Sequence, residues 1–366
     1  MPDNSFTRIL DLLAKSAVVG LALAFVIVFF QPGLLERNGG DDWADAAERA
    51  APAVVNIHTA TRVDSPRPGT PSDDLWYRYF SDVPGLDREL IESSLGSGVI
   101  VSGDGHILTS HHVIEEADEI RVALQDERIL AAEIVGVDPD TDLALLRVDA
   151  GDLPAIDFGS SDRLRVGQVV LAIGNPVGLG QAVSQGIVSA TGRSQLGITT
   201  FENFIQTDAA INFGKSGGAL VDTRGRLVGI NTAMLAGEQP GHGIGFAIPV
   251  NLARGVKNEL IEHGRVIRGY LGIEPQNVTP ELAESFGLDE PRGVLVVRVT
   301  EDSPAAEVDL EPGDVILRVN NQPVSDQYDL LNQIAGLRPG QRAEITLFRD
   351  GEERRVSPVI SERPVN

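Results

Sequence analysis

Thr207-Asp208-Ala209-Ala210-Ile211-Asn212-Phe213-Gly214-Lys215-Ser216-Gly217-Gly218-Ala219-Leu220 is the stretch on which both fold and chemistry turn. A nucleophilic serine needs an exposed hydroxyl and backbone N–H groups that converge where an oxyanion develops. Glycines beside Ser216 permit that tight backbone and let a substrate carbonyl come close. Gly214 and Ser216 are the expected N–H donors, and Lys215 between them is expected to extend into solvent. Two other readings compete. A phosphate-binding loop would need glycine at position 209, which is Ala209, and no strand-to-helix crossover pattern follows. A plain glycine-rich turn stays open for the segment taken alone.

A serine is a weak nucleophile without a base. The chain has six histidines: His58, His106, His111, His112, His242 and His263. Thr109-Ser110-His111-His112-Val113-Ile114 ends an apolar β run, a rigid place from which to aim an imidazole. In an extended chain His111 and His112 face opposite sides, so at most one serves a given site and a His-His metal pair is disfavoured. The third member should be a carboxylate that fixes the imidazole tautomer. Asp142 opens the apolar run Leu143–Val148 and suits that task, while Asp138 and Asp140 read as turn formers. The order His, Asp, Ser is that of the chymotrypsin-type double barrel.

The rest of the chain agrees with a mainly β fold. Apolar runs at Val54–Thr59, Gly98–Val101, Ile120–Leu124, Ile129–Val137, Val169–Gly174, Val183–Ala190, Arg226–Thr232 and Gly245–Ile248 are separated by turn residues. No βαβ alternation appears. Asp64–Glu92, rich in proline and carrying the aromatic cluster Trp76–Phe80, reads as a long surface loop. A helix capped by Asn251 and ended by Gly264 then closes a domain spanning 51–264. A second domain, 265–366, shows β-like runs at Gly293–Val299, Asp314–Val319 and Arg342–Phe348 with a helical Asp326–Ala335 between the last two.

Formal net charge is −23, which repels phosphate backbones and makes nucleic acid a poor partner. Cysteine is absent, which excludes disulfides, thiolate nucleophiles and Cys-ligated metals. No cofactor is expected. Ser16–Leu35 is uncharged and apolar, and a helix of that length spans roughly 30 Å, a bilayer's hydrocarbon core. Arg8 and Lys15 precede it, so residues 1–15 are expected in the cytoplasm, 16–35 as a single transmembrane anchor, and 36–50 as an exported tether. A cleaved signal peptide is the rival, but Ala44-Asp45-Ala46 lies far beyond Phe30.

Taken together, Thr-x-His-His-Val-Ile, Thr-Asp-Leu-Ala-Leu-Leu, Gln-Thr-Asp-Ala-Ala-Ile-Asn and Gly-x-Ser-Gly-Gly-Ala-Leu resemble the HtrA (Do/Deg) family of serine proteases. Gly96-Ser97-Gly98-Val99-Ile100 and Gly174-Asn175-Pro176 belong to the same pattern, and the likeness runs from about residue 48 to the C-terminus. It implies a catalytic triad of His112, Asp142 and Ser216. It also implies an S1 pocket with Ala210 at its floor and Ile211 and Ile230 as walls, which suits small or medium aliphatic side chains. Two departures from the family are Phe213-Gly214-Lys215-Ser216, where Pro-Gly-Asn-Ser is usual, and His111, where Asn or Lys is usual.

Arg268-Gly269-Tyr270-Leu271-Gly272-Ile273, Ser303-Pro304-Ala305-Ala306 and Leu310-Glu311-Pro312-Gly313-Asp314 are similar to the PDZ domains of these proteases. That resemblance places Tyr270, Leu271, Gly272 and Ile273 at a groove where a peptide C-terminus adds a strand. One PDZ domain and one anchor resemble the DegS/AlgW branch. The branch implies a homotrimer in the bacterial inner membrane with both domains in the periplasm. There it implies activation by C-termini of misfolded outer-membrane proteins, cleavage of a membrane-bound anti-sigma factor, and Arg193 as a regulatory-loop residue. The contrasting expectation is a membrane-tethered peptide-binding or chaperone protein with an inert protease domain.

Overall fold

Short apolar strands broken by Gly, Asp and Pro curl into two closed barrels. The computed structural model describes residues 15–20, 22, 43–62, 90–175, 180–212, 214–232 and 244–364. The first barrel contains β1 (Val54–Arg62), β2 (Leu90–Ile100), β3 (His106–Ser110), β4 (Glu119–Ala123), β5 (Ile129–Asp138) and β6 (Leu143–Val148), in the order β1-β2-β3-β6-β5-β4. The second contains β7 (Val169–Gly174), β8 (Ala182–Arg193), β9 (Phe204–Thr207), β10 (Ala219–Asp222), β11 (Leu227–Asn231) and β12 (Gly245–Pro249), in the order β10-β11-β12-β9-β8-β7. One apolar core continues from Ile57, Leu108 and Leu145 of the first barrel to Ile173, Ile230 and Phe246 of the second. Loops at that junction are thereby held by both barrels.

Four local expectations need correction. Residues of the expected tether form helix α1 (Trp43–Ala50), which buries Ala46 and Ala50 and donates from Arg49 Nε to Arg224 O at 3.1 Å. Small residues at four-residue spacing let this helix lie flat on the barrel. His111 and His112 are not extended: with Val113 and Ile114 they form one helical turn, α2 (His111–Ile114). The closing helix α3 (Val250–His263) begins at Val250, so Asn251 lies in its first turn, with its backbone N–H bonded to Ser161 Oγ. Its end is as expected, with Gly264 left-handed and its N–H on Leu260 O. Strand β2 begins at Leu90, inside the stretch expected as a loop, and Trp76–Phe80 lie outside the described residues.

The C-terminal domain packs a sheet and two helices around its own core. Strands β14 (Ile273–Asn277), β15 (Val294–Val299), β16 (Val315–Val319), β18 (Ile345–Arg349) and β19 (Glu352–Val356) lie in that order, with β17 (Gln322–Pro323) beside β16. Strand β13 (Gly269–Tyr270) pairs with β20 (Ser361–Glu362). Helix α4 (Pro280–Phe286) is capped by Thr279, and α5 (Gln327–Ala335) by Asp326, which accepts from the N–H groups of Tyr328 and Asp329. Strand β14 is an edge, with β15 as its ladder partner.

The two domains are joined by a buried ion pair. Arg268 donates to Asp138 Oδ1 at 2.7 Å and Oδ2 at 2.5 Å, with both side chains almost fully buried. The guanidinium carbons of Arg268 and Arg363 lie 4.6 and 5.0 Å from the Phe201 ring centre, and Asn332 donates to Glu202 O at 3.0 Å.

Most of the expected anchor, 16–35, lies outside the described residues; 15–20 and 22 are helical, and no described helix is long and apolar enough to cross a membrane.

His58 on β1 is buried, and burial pushes its imidazole down to about 4. The folded chain therefore binds fewer protons than the unfolded chain between that value and the ordinary 6.5. Stability is complete above the upper value and declines as pH falls. Between pH 7 and pH 5 the wild type should lose about 2 kcal/mol more than His58→Gln. Denaturant unfolding of both proteins at the two pH values checks this, and equal losses would refute it.

Candidate active site

The site is assembled where the barrels meet. Strand β3 ends at Ser110, and the single turn of α2 lifts His112 from it. Strand β5 ends in a tight 3-10 turn at Pro139–Thr141, after which Asp142 adopts left-handed backbone with φ 58°. An aspartate tolerates that conformation better than most side chains. The Asp142 carbonyl accepts the His111 N–H at 3.1 Å, and its carboxylate accepts the His112 N–H at 3.0 Å. His112 Nδ1 lies 2.8 Å from Oδ2 and 2.9 Å from Oδ1 of Asp142.

Burial is the largest influence on the Asp142 carboxyl and pushes it up. The hydrogen bond and charge of His112, with the Thr232 hydroxyl and the His112 amide, outweigh burial and hold the group below its ordinary value. An ionised Asp142 assigns the imidazole proton to Nδ1, which leaves Nε2 unprotonated and able to accept a proton.

Ser216 arrives from the second barrel, three residues before β10 begins at Ala219. Its loop is tied to the first barrel by Ser97, whose N–H donates to Ser216 O at 2.8 Å and whose Oγ donates to Gly214 O at 2.6 Å. Gly217 has φ +80°, and a Cβ there would lie 2.1 Å from Ser97 O, so only glycine fits. Among the described residues, the N–H groups of Gly214 and Ser216 donate to no other group.

The Ser216 Oγ donates to Thr232 O at 2.8 Å. Thr232 Oγ1 in turn donates to Asp142 Oδ2. Ser216 and Asp142 thus touch the same residue, and His112 bonds the same carboxylate. Among the described residues no hydrogen bond joins Ser216 to His112, so the hydroxyl is at the site but rests on a carbonyl. No described cluster of three or more His, Asp or Glu side chains could hold a metal ion.

A family model for the trypsin-like peptidase domain matches residues 96–230, and one for the PDZ domain matches residues 269–358. A probable periplasmic serine endoprotease, DegP-like, of Pseudomonas putida is 43% identical over 337 residues, 88% of this chain and 70% of that protein. The chain belongs to the HtrA-type serine proteases. The solved HtrA-type protease AlgW with decapeptide is 48% identical with a TM-score of 0.75, covering 89% of this chain and all of that one. The serine endoprotease from Yersinia pestis is 42% identical with a TM-score of 0.64, covering 88% of this chain and 98% of that one. The resemblance drawn from the motifs is therefore borne out, and this HtrA-type chain is a serine endopeptidase.

Other expected site residues are placed as follows. Ala210 is exposed, whereas Ile211 and Ile230 are buried in barrel cores. Arg193 is exposed and bonds Gln206 across β8 and β9. Leu271 is a core residue of the PDZ domain, while Gly272, with φ +84°, abuts Ser303. Tyr270, Leu271, Gly272 and Ile273 all line a cavity of about 290 Å³, as do Leu330 and Ile334 of α5 and Thr200 and Phe201 of the protease domain. Lys215 contradicts expectation: it is 4% exposed. A glycine-flanked surface loop suggested solvent, but the side chain runs inward to three acceptors.

Sequence reasoning missed Thr232 and gave Ser97 no role. Flanking glycines at 96 and 98 hinted at close approach for Ser97; Thr232 carried no local signal. Replacing the Thr232 hydroxyl removes a charged hydrogen bond worth about 1.5–3 kcal/mol. Thr232→Val should lose stability of that order and, with the protein still folded at the assay temperature, lower kcat by roughly ten-fold or more; unchanged turnover in peptide hydrolysis would refute the assignment.

Proposed function

We propose that this HtrA-type endopeptidase is a membrane-anchored periplasmic enzyme switched on by peptide C-termini in its PDZ groove, with His112, Asp142 and Ser216 as its triad. The observation that carries the reading is the composite groove. Thr200 and Phe201 of the protease domain line it together with Tyr270–Ile273, so an occupant touches both domains. Strand β14 offers an open edge beside it, and among the described residues the N–H groups of Leu271 and Gly272 are unengaged and suited to a terminal carboxylate. The resting bond of Ser216 to Thr232 O supports an enzyme that waits for a signal.

The finer reading follows from the branch. The AlgW structures solved with a decapeptide or a tripeptide support peptide recognition. The apolar run 16–35 supports an inner-membrane anchor, and the relatives' description supports the periplasm. A membrane-bound anti-sigma factor is the proposed substrate, misfolded outer-membrane proteins the source of the peptide, a homotrimer the assembly, and Arg193 a regulatory contact at the base of the loop that reaches Phe201. Ala210 remains the proposed S1 floor.

The test is cleavage of an unfolded protein by the full chain in detergent, with Ser216→Ala alongside. Peptides ending in an aliphatic or aromatic residue should raise the wild-type rate at least several-fold, and Ser216→Ala should stay inactive. Equal rates in the two proteins would leave an anchored, inert peptide-binding protein; a rate indifferent to every C-terminal peptide would refute the gating.

A further inference from the structure

An oxyanion loop of glycines around one serine has many conformations open to it, and something must choose among them. Here Lys215 supplies the one long side chain next to the nucleophile. Its stem lies against Gly174, where an added Cβ would come within 2.9 Å of both Lys215 Cα and Cγ. Its ammonium donates to Ser184 Oγ at 2.7 Å, to Ala210 O at 2.9 Å and to Ala172 O at 3.4 Å. An ammonium has three N–H donors, and all three are used.

Those acceptors come from three different segments. Ala172 belongs to β7, Ser184 to β8, and Ala210 to the connection after β9. Ser184 Oγ also donates to Ala210 O at 2.7 Å, which closes the network. Among the described residues Lys215 has no ion-pair partner. Burying a charge without a counter-charge costs several kcal/mol unless dipoles replace the lost water. Burial accordingly pushes the ammonium pKa down. A residue that served only to fill space would do so at less cost as methionine.

The backbone of Lys215 is the peptide between the two expected oxyanion donors. Its N–H bonds Asn212 O at 3.0 Å and its carbonyl accepts Gly218 N–H at 3.0 Å. With the side chain pinned at the far end, the residue is fixed at both ends. We propose that Lys215 is a positioning residue of the oxyanion hole, its ammonium clamping the Gly214–Ser216 backbone and the Ala210 carbonyl to the second barrel. The clamp acts through Gly214 N–H and Ser216 N–H, so the proposal rests on the triad and donor assignment above.

The experiment compares full-length Lys215→Met, Lys215→Gln and Ser184→Ala with wild type, at the peptide concentration that gives wild type its maximal rate. Losing aligned oxyanion donors costs on the order of 100-fold, and a partial misplacement less. Lys215→Met should therefore lower kcat by roughly 10- to 100-fold with KM changed less than about two-fold. Phosphonylation of Ser216 by a peptidyl phosphonate ester should slow in parallel, since that reaction also builds negative charge in the hole. Lys215→Gln keeps neutral N–H donors and should recover most of the loss; Ser184→Ala removes one anchor and should show a smaller deficit. Wild-type kcat in Lys215→Met overturns the proposal. So does a loss that appears in KM alone, or one that Lys215→Gln shares in full. Where Lys215→Met fails to fold, an unimpaired Ser184→Ala overturns it, as does a folded Lys215→Gln with kcat lowered by roughly 10- to 100-fold. Ser216→Ala separates the two levels: if it retains cleavage, the site assignment itself fails, whatever Lys215 does.

Discussion

The Asp142 carboxylate is the constraint on which the catalytic arrangement depends. It sits almost fully buried at the junction of two barrels, where an unsatisfied charge would be prohibitive. Its acceptors are taken by the His112 imidazole, the His112 amide and the Thr232 hydroxyl. Each bond fixes a different part of the site. The imidazole bond sets the tautomer, the amide bond sets the turn that carries the imidazole, and the hydroxyl bond brings in the second barrel. The left-handed backbone at Asp142 turns the carboxylate back toward α2, so one strained residue is stabilised by the same bonds that it organises.

The turn that carries Asp142 also faces the other way. Asp138, four positions earlier, takes both donors of Arg268 from the PDZ domain, and its carboxylate also accepts the Thr141 hydroxyl. Asp140 pairs with Arg363 at 3.5 Å. One short 3-10 turn therefore links the PDZ domain on one side with the imidazole on the other. Phe201, in contact with both guanidinium groups, extends this junction to the groove wall. Two positive groups on one ring and two carboxylates behind them form a network whose parts lose their partners together if the domains separate.

Much of this was legible in the sequence, and the exceptions share a cause. Most strands of the two barrels, the stop at Gly264 and the helix after Asp326 are local features, written in apolar runs and single stop residues; β9, β10 and most of β2 carried no such run. His112, Asp142 and Ser216 could be singled out as candidates because each sits in a short motif with its own chemistry. Thr232 could not, because its partner is 90 positions away and a threonine at a strand end looks like any other. Lys215 was misplaced for a similar reason: a lysine among glycines reads as solvated until the barrel supplies Ala172, Ser184 and Ala210 as acceptors. Helix α1 was hidden by its polar face, since only small alanines meet the core, Ala46 and Ala50 buried and Ala47 partly so.

The resting state of the nucleophile sets the scale of any control. The bond from Ser216 Oγ to Thr232 O is a neutral hydroxyl–carbonyl contact, worth about 0.5–1.5 kcal/mol net. Moving that hydroxyl to an imidazole base exchanges one such bond for another of similar strength. The equilibrium between resting and aligned hydroxyl is therefore shallow on its own. A ten-fold population change requires only about 1.4 kcal/mol of differential affinity, well within what a few backbone hydrogen bonds in a groove can supply. The oxyanion loop, in contrast, is held by Ser97, Gly217 and a three-point ammonium. Control by a ligand is thus easiest where the structure is least committed, at the rotamer of one serine, while the donors that must receive the developing charge remain fixed.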